Sequence, residues 1–492
     1  MATSYTTPGV YIQEKNAFPN SALTVETSLP VFIGYTQKAE HNGKSLLNTP
    51  VRITSFRDYT ERFGYGFTTK FSLEDTKDGI AIKGGNRIQP VPVAGTMFYL
   101  YNCIRWFFAN GGSNCYICSV KTYGDKPEGF IANVQDFIGG SPSPLEQLKK
   151  EFEPTLVLAP DAVLLQDDAY TVYREILQHC GEVQSRFGIF DVGYQHENET
   201  TDDKISTFRK AIGNQHLQYG AAYYPWLHTV VTGPTEVDFH HLEQGANVLV
   251  LLPEPLVEKM VQPNDEELQS LKVSKQYHMA LLAASPTYIA IMEAIRSKLN
   301  ELPPSAAMAG IYTMIDMTRG VFKAPANVSV SLAARAMVKV SHEQQDSLNV
   351  DAIEGKSINV IREFPSLGLL VWGARTLDGN SQDWRYINVR RTMMMIEQSV
   401  KLAVRSYVFE PNDANTWATV KSMLSNFLYN LWKQGSLAGS TPEDAFSVQV
   451  GLGSTMTPED ILEGIMRITL LLAVVRPAEF IIVTLEQQQQ QS

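Results

Sequence analysis

The spacing of apolar residues changes along the chain and predicts different folds for its middle and its end. Between about residues 155 and 226, short apolar runs alternate with segments whose apolar residues recur at helical spacing. They are the predicted strands 155–159, 187–192 and 220–226 and the predicted helices 167–180 and 202–212. Strands that alternate with helices are typical of βαβ units, so the middle of the chain is predicted to form a parallel sheet.

The pattern before residue 150 combines strand and helix signals with turn residues. A turn signal at 7–9 precedes a β-like segment at 10–14, which predicts an extended arm. The later predictions are a strand at 29–35, a helix at 56–63 stopped by Gly64, a loop at 75–95, a helix at 98–108 stopped by 110–112, a strand at 115–120 and a linker or loop at 139–150.

The last third changes character and predicts an α+β module. A strand at 384–389 is followed by a helix through 393–407 and by a second helix after Pro411 and Asn412. The remaining predictions are strands at 446–450, 466–474 and 481–485 and a Gln-rich tail at 487–491.

Composition and charge exclude several classes of partner. The 492 residues carry a formal net charge of −11, with 44% hydrophobic and 19% charged residues, as in an ordinary globular protein. The sequence has no basic block that could follow phosphates, so we expect no nucleic-acid partner. The start lacks the basic and apolar segments of a secretory signal, and the apolar stretches are far shorter than the roughly 20 residues that span a bilayer. We therefore expect synthesis in the cytoplasm and no direct membrane insertion.

Cys115 and Cys118 match the spacing of a metal or redox motif. A zinc site needs a second ligand pair, and a redox motif needs its first Cys at a junction between strand and helix. These two lie within a predicted strand, where positions three apart point to opposite faces. We predict that they are buried core thiols, that Cys103 and Cys180 do not join them in a disulfide framework, and that the protein holds no metal and no cofactor.

Gly451 and Gly453 follow a predicted strand and resemble half of a dinucleotide fingerprint. Met456 stands where the third glycine of that fingerprint should be. Turn chemistry explains the segment better, with Thr457 as the N-cap and Pro458 as the first residue of a short helix.

Asp161 and Asp191 follow predicted strands, where α/β enzymes place catalytic groups. The sequence contains no P-loop, no nucleophile elbow and no H-E-x-x-H motif, and His240 and His241 have no third ligand nearby. Helix caps and surface charges are the simpler interpretation. An α/β enzyme without a local motif stays open, because catalytic residues need not be close in sequence.

Short segments occur in a fixed order over nearly the whole chain, at 7–14, 31–36, 107–112, 309–310, 316–327, 371–377, 384–391, 409–412 and 477–480. Together they resemble the contractile tail sheath family, which includes phage tail sheaths and the sheaths of extracellular contractile injection systems. The region from about 140 to 300 carries little of this resemblance.

The resemblance implies a multidomain protein of the α/β and α+β classes. Its expected parts are an N-terminal arm and linker (1–26), an outer α/β domain (27–345) with a variable insertion within about 140–300, a C-terminal α+β sheath core domain (346–480), and a C-terminal arm with a Gln-rich tail (481–492). In such sheaths the arms donate strands to neighbouring subunits. The donated strands are expected at Val10, Tyr11, Ile12 and Gln13 and at Ile481, Ile482, Val483, Thr484 and Leu485.

The resemblance also implies partners and structural residues. The expected partners are the chain itself as a six-start helical homopolymer, an inner tube protein, the baseplate, a tail terminator or cap protein, and paralogous sheath subunits. Such a sheath is assembled in the bacterial cytoplasm and then forms part of an extracellular particle or a virion tail. The family motifs place structural roles on Asn110, Gly111, Gly112, Asp316, Arg319, Gly320, Pro325, Trp372, Gly373, Arg375, Trp384, Arg385, Pro411, Asn412, Pro477, Glu479 and Phe480.

The function implied is therefore structural: a sheath that contracts to drive an inner tube through a target envelope. Segments 110–116 and 377–384 favour an extracellular injection system over a phage or phage-like bacteriocin. The alternatives outside the family are the α/β enzyme and a receptor-binding or adhesin subunit.

Overall fold

The chain forms a mixed α/β fold in the computed structural model, which describes residues 24–82, 86–124, 130–194, 200–243 and 271–482. Two compact units divide it. The α/β unit comprises Glu26–Arg391 and the segment from Arg476, and the C-terminal unit comprises Thr392–Val475 and the segment up to Val25. The division lies beyond the boundary expected at residue 346, because two strands between 359 and 372 belong to the large sheet of the α/β unit.

The strands lie in the following order. They are β1 (Pro30–Thr36), β2 (Glu40–His41), β3 (Lys44–Ser45), β4 (Val51–Ile53), β5 (Phe71–Ala81), β6 (Arg87–Pro92), β7 (Cys115–Thr122), β8 (Leu156–Leu158), β9 (Phe187–Asp191), β10 (Gly220–Tyr224), β11 (Leu227–Thr229), β12 (Glu301–Leu302), β13 (Ala333–Ala336), β14 (Asn359–Phe364), β15 (Gly368–Trp372), β16 (Phe446–Val450) and β17 (Ile468–Leu472).

The helices lie between these strands. They are α1 (Phe56–Phe63), α2 (Leu100–Ala109), α3 (Val134–Ile138), α4 (Pro144–Leu148), α5 (Ala169–Val183), α6 (Thr201–Ala211), α7 (Leu271–Ala284), α8 (Pro286–Leu299), α9 (Ser305–Arg319), α10 (His342–Asn349), α11 (Ile387–Arg405), α12 (Ala414–Lys433), α13 (Pro442–Ala445) and α14 (Pro458–Leu462), with a 3-10 segment at Pro160–Asp168.

The parallel sheet predicted for the middle of the chain is confirmed and is larger than expected. Its order is β15-β14-β10-β9-β8-β1-β7-β4, with parallel pairing from β14 to β7 and an antiparallel strand at each edge. Every residue of β1, β8, β9 and β10 is buried. Parallel strands buried on both faces require helices on both sides, and this explains their continuous apolar runs.

Two sequence-based predictions are wrong. Residues 75–95, expected as a loop, contain most of an antiparallel hairpin of β5 and β6. Its glycine and prolines suggest a loop, but Pro90 and Pro92 are tolerated in a two-stranded ribbon, where a strand has an edge without a ladder partner. Phe71 and Ile88 anchor the hairpin in an apolar cluster with α7 and α8.

The strand expected at 384–389 is also wrong, because α11 begins at Ile387. The aromatic and β-branched residues there have β propensity, but tertiary packing overrides it. Ile387 is fully buried on the first turn, and Asn388 donates a hydrogen bond to the Phe322 carbonyl oxygen. The helices predicted at 56–63, 98–108, 167–180, 202–212 and 393–407 and the strands at 29–35, 115–120, 446–450 and 466–474 are confirmed within a few residues.

No single helix in the described ranges is long and apolar enough to cross a membrane. The bent pair Val273–Ala284 and Pro286–Leu299 passes that test by length and composition together.

Candidate assembly site

The C-terminal unit contains a small sheet that leaves an apolar groove open. β16 and β17 pair antiparallel, and within the described residues they form a two-stranded sheet. The groove has a volume of about 480 Å³. Its lining comes from α11 and from one face of β17: Met393, Ile396, Glu397, Val400, Lys401, Val404, Ile468, Leu470 and Leu472. Each strand of this sheet therefore has an edge at which a further strand could pair.

The last described residues expose apolar side chains to solvent. Phe480, Ile481 and Ile482 are 71%, 80% and 91% exposed and belong to no strand of this chain. The strand predicted at 481–485 is therefore not formed within the subunit at its first two positions. Val483, Thr484 and Leu485, and the whole N-terminal set Val10 to Gln13, lie outside the described residues.

Glu479 holds this terminal segment to the α/β unit through three side chains. Arg375 donates from Nε to Oε1 at 2.9 Å and from its terminal nitrogen to Oε2 at 2.7 Å, which is the bidentate geometry of a strong ion pair. Asn349 Nδ2 donates to Oε1 at 2.7 Å and the Tyr386 hydroxyl to Oε2 at 3.0 Å. Burial raises the pKa of Glu479, but these hydrogen bonds and the Arg375 charge outweigh burial and hold the pKa below its usual value. We name these four residues the C-terminal clamp.

A second buried arginine holds the segment that follows the N-terminal arm. Arg391 donates to both carboxylate oxygens of Asp316, at 2.5 and 3.0 Å, and both side chains are 3% exposed. Arg391 also donates to the Thr27 carbonyl oxygen at 2.8 Å, and the Thr27 hydroxyl donates to Asp316 at 2.6 Å. We name Thr27, Asp316 and Arg391 the N-terminal clamp.

The motif after α2 fixes the crossing of two helices. Asn110 donates from its side chain to the carbonyl oxygens of Trp106 and Ser331 and accepts from the Ser331 N–H. Gly111 has φ +94°, and a Cβ there would lie 2.7 Å from Met314 of α9. Gly112 lies against the Phe107 ring, so a side chain there would clash with α2.

The other family-motif residues have mostly structural surroundings. Gly320 ends α9 with φ +92° after the exposed Arg319, and Pro325 is buried. Gly373 lies against Asn359, beside the partly exposed Trp372.

The remaining motif residues lie on both sides of α11. The Arg390 guanidinium lies over the Trp384 ring, and Arg385 donates to the Ser381 carbonyl oxygen. In the C-terminal unit, Asn412 follows the exposed Pro411, donates to the Ile465 carbonyl oxygen and accepts from Trp417. Pro477 is half-buried.

The carboxyl edge of the large sheet is where an α/β enzyme would act, and here its carboxylates are structural. Asp161 accepts from the N–H groups of Tyr35, Tyr99 and Leu100, and Asp191 accepts from the N–H and hydroxyl of Ser305. They therefore cap the N-termini of α2 and α9. The helix-cap prediction is confirmed, whereas the expectation of surface charges is wrong, because both side chains are buried.

A cavity of about 720 Å³ lies beside Asp191, lined in part by Tyr194, Lys298 and Glu301. These three satisfy one another: the Tyr194 hydroxyl and Lys298 Nζ donate to Glu301 at 3.2 and 3.3 Å. The described residues contain no group of three or more His, Cys, Asp or Glu that could hold a metal ion. Asp238 holds both His240 and His241, so that pair has a structural role.

All four cysteines are free and buried. Burial raises the pKa of each thiol, to about 12 for Cys118 and Cys180. Core thiols with raised pKa values are poor nucleophiles and poor metal ligands, which agrees with the sequence-based interpretation of Cys115 and Cys118.

Comparisons with known proteins support an assembly role for this arrangement. Residues 380–488 match the family model of the phage tail sheath C-terminal domain. The chain is similar to the PVC sheath complex of an extracellular contractile injection system in its contracted state, with 29% identity, 99% of each chain covered and a TM-score of 0.63. No curated protein shows significant sequence similarity to it.

The anti-feeding prophage supplies two further similar structures. Its contracted helical sheath is 28% identical with a TM-score of 0.62, and a chain of its six-fold symmetrised baseplate is 28% identical with a TM-score of 0.61. Both comparisons cover 99% of this chain and 100% of the other. The protein is thus of the contractile tail sheath class. Its residues 380–488 match the phage tail sheath C-terminal domain, and the resemblance stated from the sequence is confirmed.

Proposed function

We propose that this chain is the structural subunit of a contractile sheath in an extracellular contractile injection system. The observation that carries the proposal is the similarity over 99% of the chain to the sheath of such a system and to the sheath of the anti-feeding prophage. The family and the similar structures are sheath proteins, so the chain is a structural protein and not an enzyme.

The chain polymerises with copies of itself into a helical sheath and associates with a baseplate. Similar chains occur in a helical sheath and in a baseplate, and both are assemblies of many subunits. The six-fold symmetry of that baseplate supports a six-start helix. The sheath surrounds an inner tube and ends at a terminator protein. It is assembled in the cytoplasm and becomes part of the extracellular particle.

Strand donation joins the subunits. The groove of the C-terminal unit has an apolar face made by alternate residues of β17, Ile468, Leu470 and Leu472. The C-terminal arm has a matching period: Ile481, Val483 and Leu485 share one face of an extended strand. Such a strand from a neighbouring subunit pairs with an open edge and buries its apolar face against α11. Residues 10–13 of the N-terminal arm supply a second donated strand.

Contraction is a transition between two lattices of nearly rigid subunits. Assembly on the baseplate traps an extended lattice, and firing lets the subunits rotate into a shorter, wider lattice with more contacts between them. The free energy that drives contraction is the difference in free energy between the extended and the contracted lattice, so firing needs no nucleotide. The C-terminal unit forms the layer around the tube, and the α/β unit forms the outside.

Electron microscopy of the full chain tests this function. The expressed protein should form long hollow striated tubes, alone or with its inner tube protein, in negative stain. A truncation after Phe480 is the matched control and should stay soluble, cooperatively folded and monomeric. A full-length chain that stays monomeric beside its tube protein would contradict the sheath proposal.

A phage tail sheath is the second candidate, because the matching family model describes phage sheaths. Particles purified with this chain decide between the two. Headless particles without packaged DNA support the injection system, and particles that carry a DNA-filled head support the phage.

A further inference from the structure

Both arms leave the α/β unit beside a buried arginine that grips a carboxylate with two hydrogen bonds. The N-terminal clamp holds Thr27, immediately after the arm and linker 1–26. The C-terminal clamp holds Glu479, two residues before the expected arm at 481–492. The two clamps therefore mark the two arm roots, although they are built from different elements.

We propose that Arg375 and Arg391 are positioning residues that anchor the two arm roots, so that a load on a donated strand reaches the body of the subunit that owns the arm. This inference rests on the proposed strand donation. The inference adds an anchor to the proposed strand donation. A donated strand can transmit movement between two subunits only if the root of its arm stays fixed to the subunit that owns the arm.

The geometry of each clamp suits an anchor. Each arginine meets its carboxylate with two parallel hydrogen bonds, which fixes direction as well as distance. The Arg391 guanidinium also lies 4.7 Å from the centre of the Tyr312 ring. The Arg375 side chain is only 4% exposed. Water competes weakly for such buried ion pairs, so they hold better than the exposed pairs on the surface.

The chain around the C-terminal clamp has little other support. Residues 475–482 belong to no helix or strand, and the preceding backbone hydrogen bond along the described chain is from the Val475 N–H to the Ser436 carbonyl oxygen. Release of Glu479 would add residues 476–479 to the arm, which is about 14 Å of extended chain.

The N-terminal root has a second anchor close by. Leu29 donates its N–H to the Thr155 hydroxyl and accepts from the Thr155 N–H, both at 2.9 Å. The linker residue Val25 also donates its N–H to the Ser399 hydroxyl at 3.1 Å. Release of Thr27 alone would therefore free little chain, because the backbone is held at residues 25 and 29. We expect the C-terminal clamp to matter more for coupling between subunits.

The test compares Glu479→Ala with Glu182→Ala in the full chain. Glu182 forms an exposed ion pair with Lys149 in the same unit and has no part in either clamp. Two measurements are made: the mobility of a nitroxide spin label on Ala478→Cys in the monomer, and the length and diameter of assembled sheaths before and after triggering. Ala478 is exposed, whereas the native cysteines are buried and should not take the label. Arg375→Lys is a second variant, which keeps the charge and loses the bidentate geometry.

We expect Glu479→Ala to melt at a lower temperature than the control, because the buried Arg375 loses its partner. The label at position 478 should become more mobile, and the variant should form sheaths that lose concerted contraction. Those sheaths should stay extended or shorten in patches under conditions that contract the wild type. Arg375→Lys should contract partially. A purely structural role would lower the melting temperature and the yield of tubes without changing how the finished tubes contract.

Two results would overturn the anchor. One is normal contraction of Glu479→Ala sheaths. The other is unchanged mobility of the label at position 478, with or without loss of assembly, because the carboxylate would then not hold the root. Failure of strand donation is distinguishable: deletion of 481–492 would then leave polymerisation intact, whatever Glu479→Ala does.

Discussion

Asp161 and Asp191 show how the same residue position serves two kinds of α/β protein. Each follows a strand at the carboxyl edge of the parallel sheet, where an enzyme would aim the carboxylate at a substrate. Here each carboxylate accepts hydrogen bonds from the start of a helix, α2 or α9. Burial of the carboxylate raises the pKa of Asp161 to about 6, although hydrogen bonds from three backbone N–H groups lower that pKa.

Asp191 should make stability depend on pH. Burial raises its pKa to about 7, although the hydrogen bonds from Ser305 lower it. The unfolded value is about 3.9, so between the two values the native state binds more protons and loses stability as the pH rises. We expect Asp191→Asn to remove a loss of about 2–3 kcal/mol between about pH 5 and pH 8. Urea unfolding at both pH values measures it, with the exposed Asp78→Asn as control. The same slope in both variants would contradict it.

The cysteines should be unreactive in the native protein. All four are buried with raised pKa values, so the native chain should not react with a thiol reagent such as DTNB. All four should react once the chain is unfolded in guanidinium. Elemental analysis should find no stoichiometric zinc, and Cys115→Ser or Cys118→Ser should still form tubes. Zinc near one atom per chain would reverse the interpretation of these thiols.

Local pattern predicted neither the residues of the clamps nor their pairing. Asp316, Arg375 and Glu479 stood out only through family motifs. Arg375 and Glu479 are 104 positions apart, and Asp316 and Arg391 are 75 apart. No periodicity connects such distant residues, and folding alone brings them together. Of the two residues that complete the C-terminal clamp, Tyr386 lies in the family segment 384–391 but was not singled out, and Asn349 carried no signal in the sequence.

At the scale of elements, burial explains which strands the sequence pattern predicted correctly and which it missed. The strands β1, β8, β9 and β10 are buried on both faces, so their own composition marks them as strands. The hairpin of β5 and β6 is different, because its strands are half-exposed and depend on each other and on the cluster with α7 and α8. Single-segment patterns identify elements that are set by burial and miss elements that are set by partners.

The helices α2 and α9 pack closely against each other, and Gly310 permits this contact. A Cβ on Gly310 would lie 2.6 Å from the Phe107 carbonyl oxygen, so the two backbones would have to separate. We expect Gly310→Ala to cost about 1–3 kcal/mol, which outweighs the gain in helix propensity of up to about 1 kcal/mol. Urea unfolding measures the difference. Ser422→Ala, on the exposed face of α12, is the control and should be neutral. Equal stability of the two variants would show that α9 can shift without cost.

At the scale of the whole molecule, the rigid body of the subunit and its proposed connections to other subunits lie in different parts of the chain. The α/β unit has a large sheet whose four central parallel strands are fully buried, and its carboxylates are internally satisfied, as expected of a body that moves without deforming. In the proposed sheath, its connections to other subunits lie in the N-terminal and C-terminal arms. Contraction then depends on how tightly each arm transmits displacement, and arm length becomes a mechanical variable.

The linker before the N-terminal clamp allows that variable to be changed alone. In the proposed sheath, residues 14–26 join a strand fixed in one subunit to a body that begins at the anchored Thr27. Inserting three residues after Asn20, a polar position beside Pro19, would add about 10 Å of slack. The donated strand and its acceptor sheet stay unchanged, so polymerisation should survive. A subunit could then stay extended while its neighbour turned. We expect extended sheaths that resist contraction, and electron microscopy of length and diameter measures this.

The control separates slack from disturbance of the linker. Replacing three polar residues of 14–26 by Ser keeps the length, so those sheaths should contract like the wild type in mild denaturant while the insertion variant stays long. A graded effect of one, two and three inserted residues would tie the loss to about 3.5 Å of slack per residue. Normal contraction with one, two and three inserted residues would show that lateral contacts between subunit bodies, and not the linker, transmit contraction along the sheath. The clamp at Thr27 would then have no mechanical role, whereas strand donation in assembly would be unaffected.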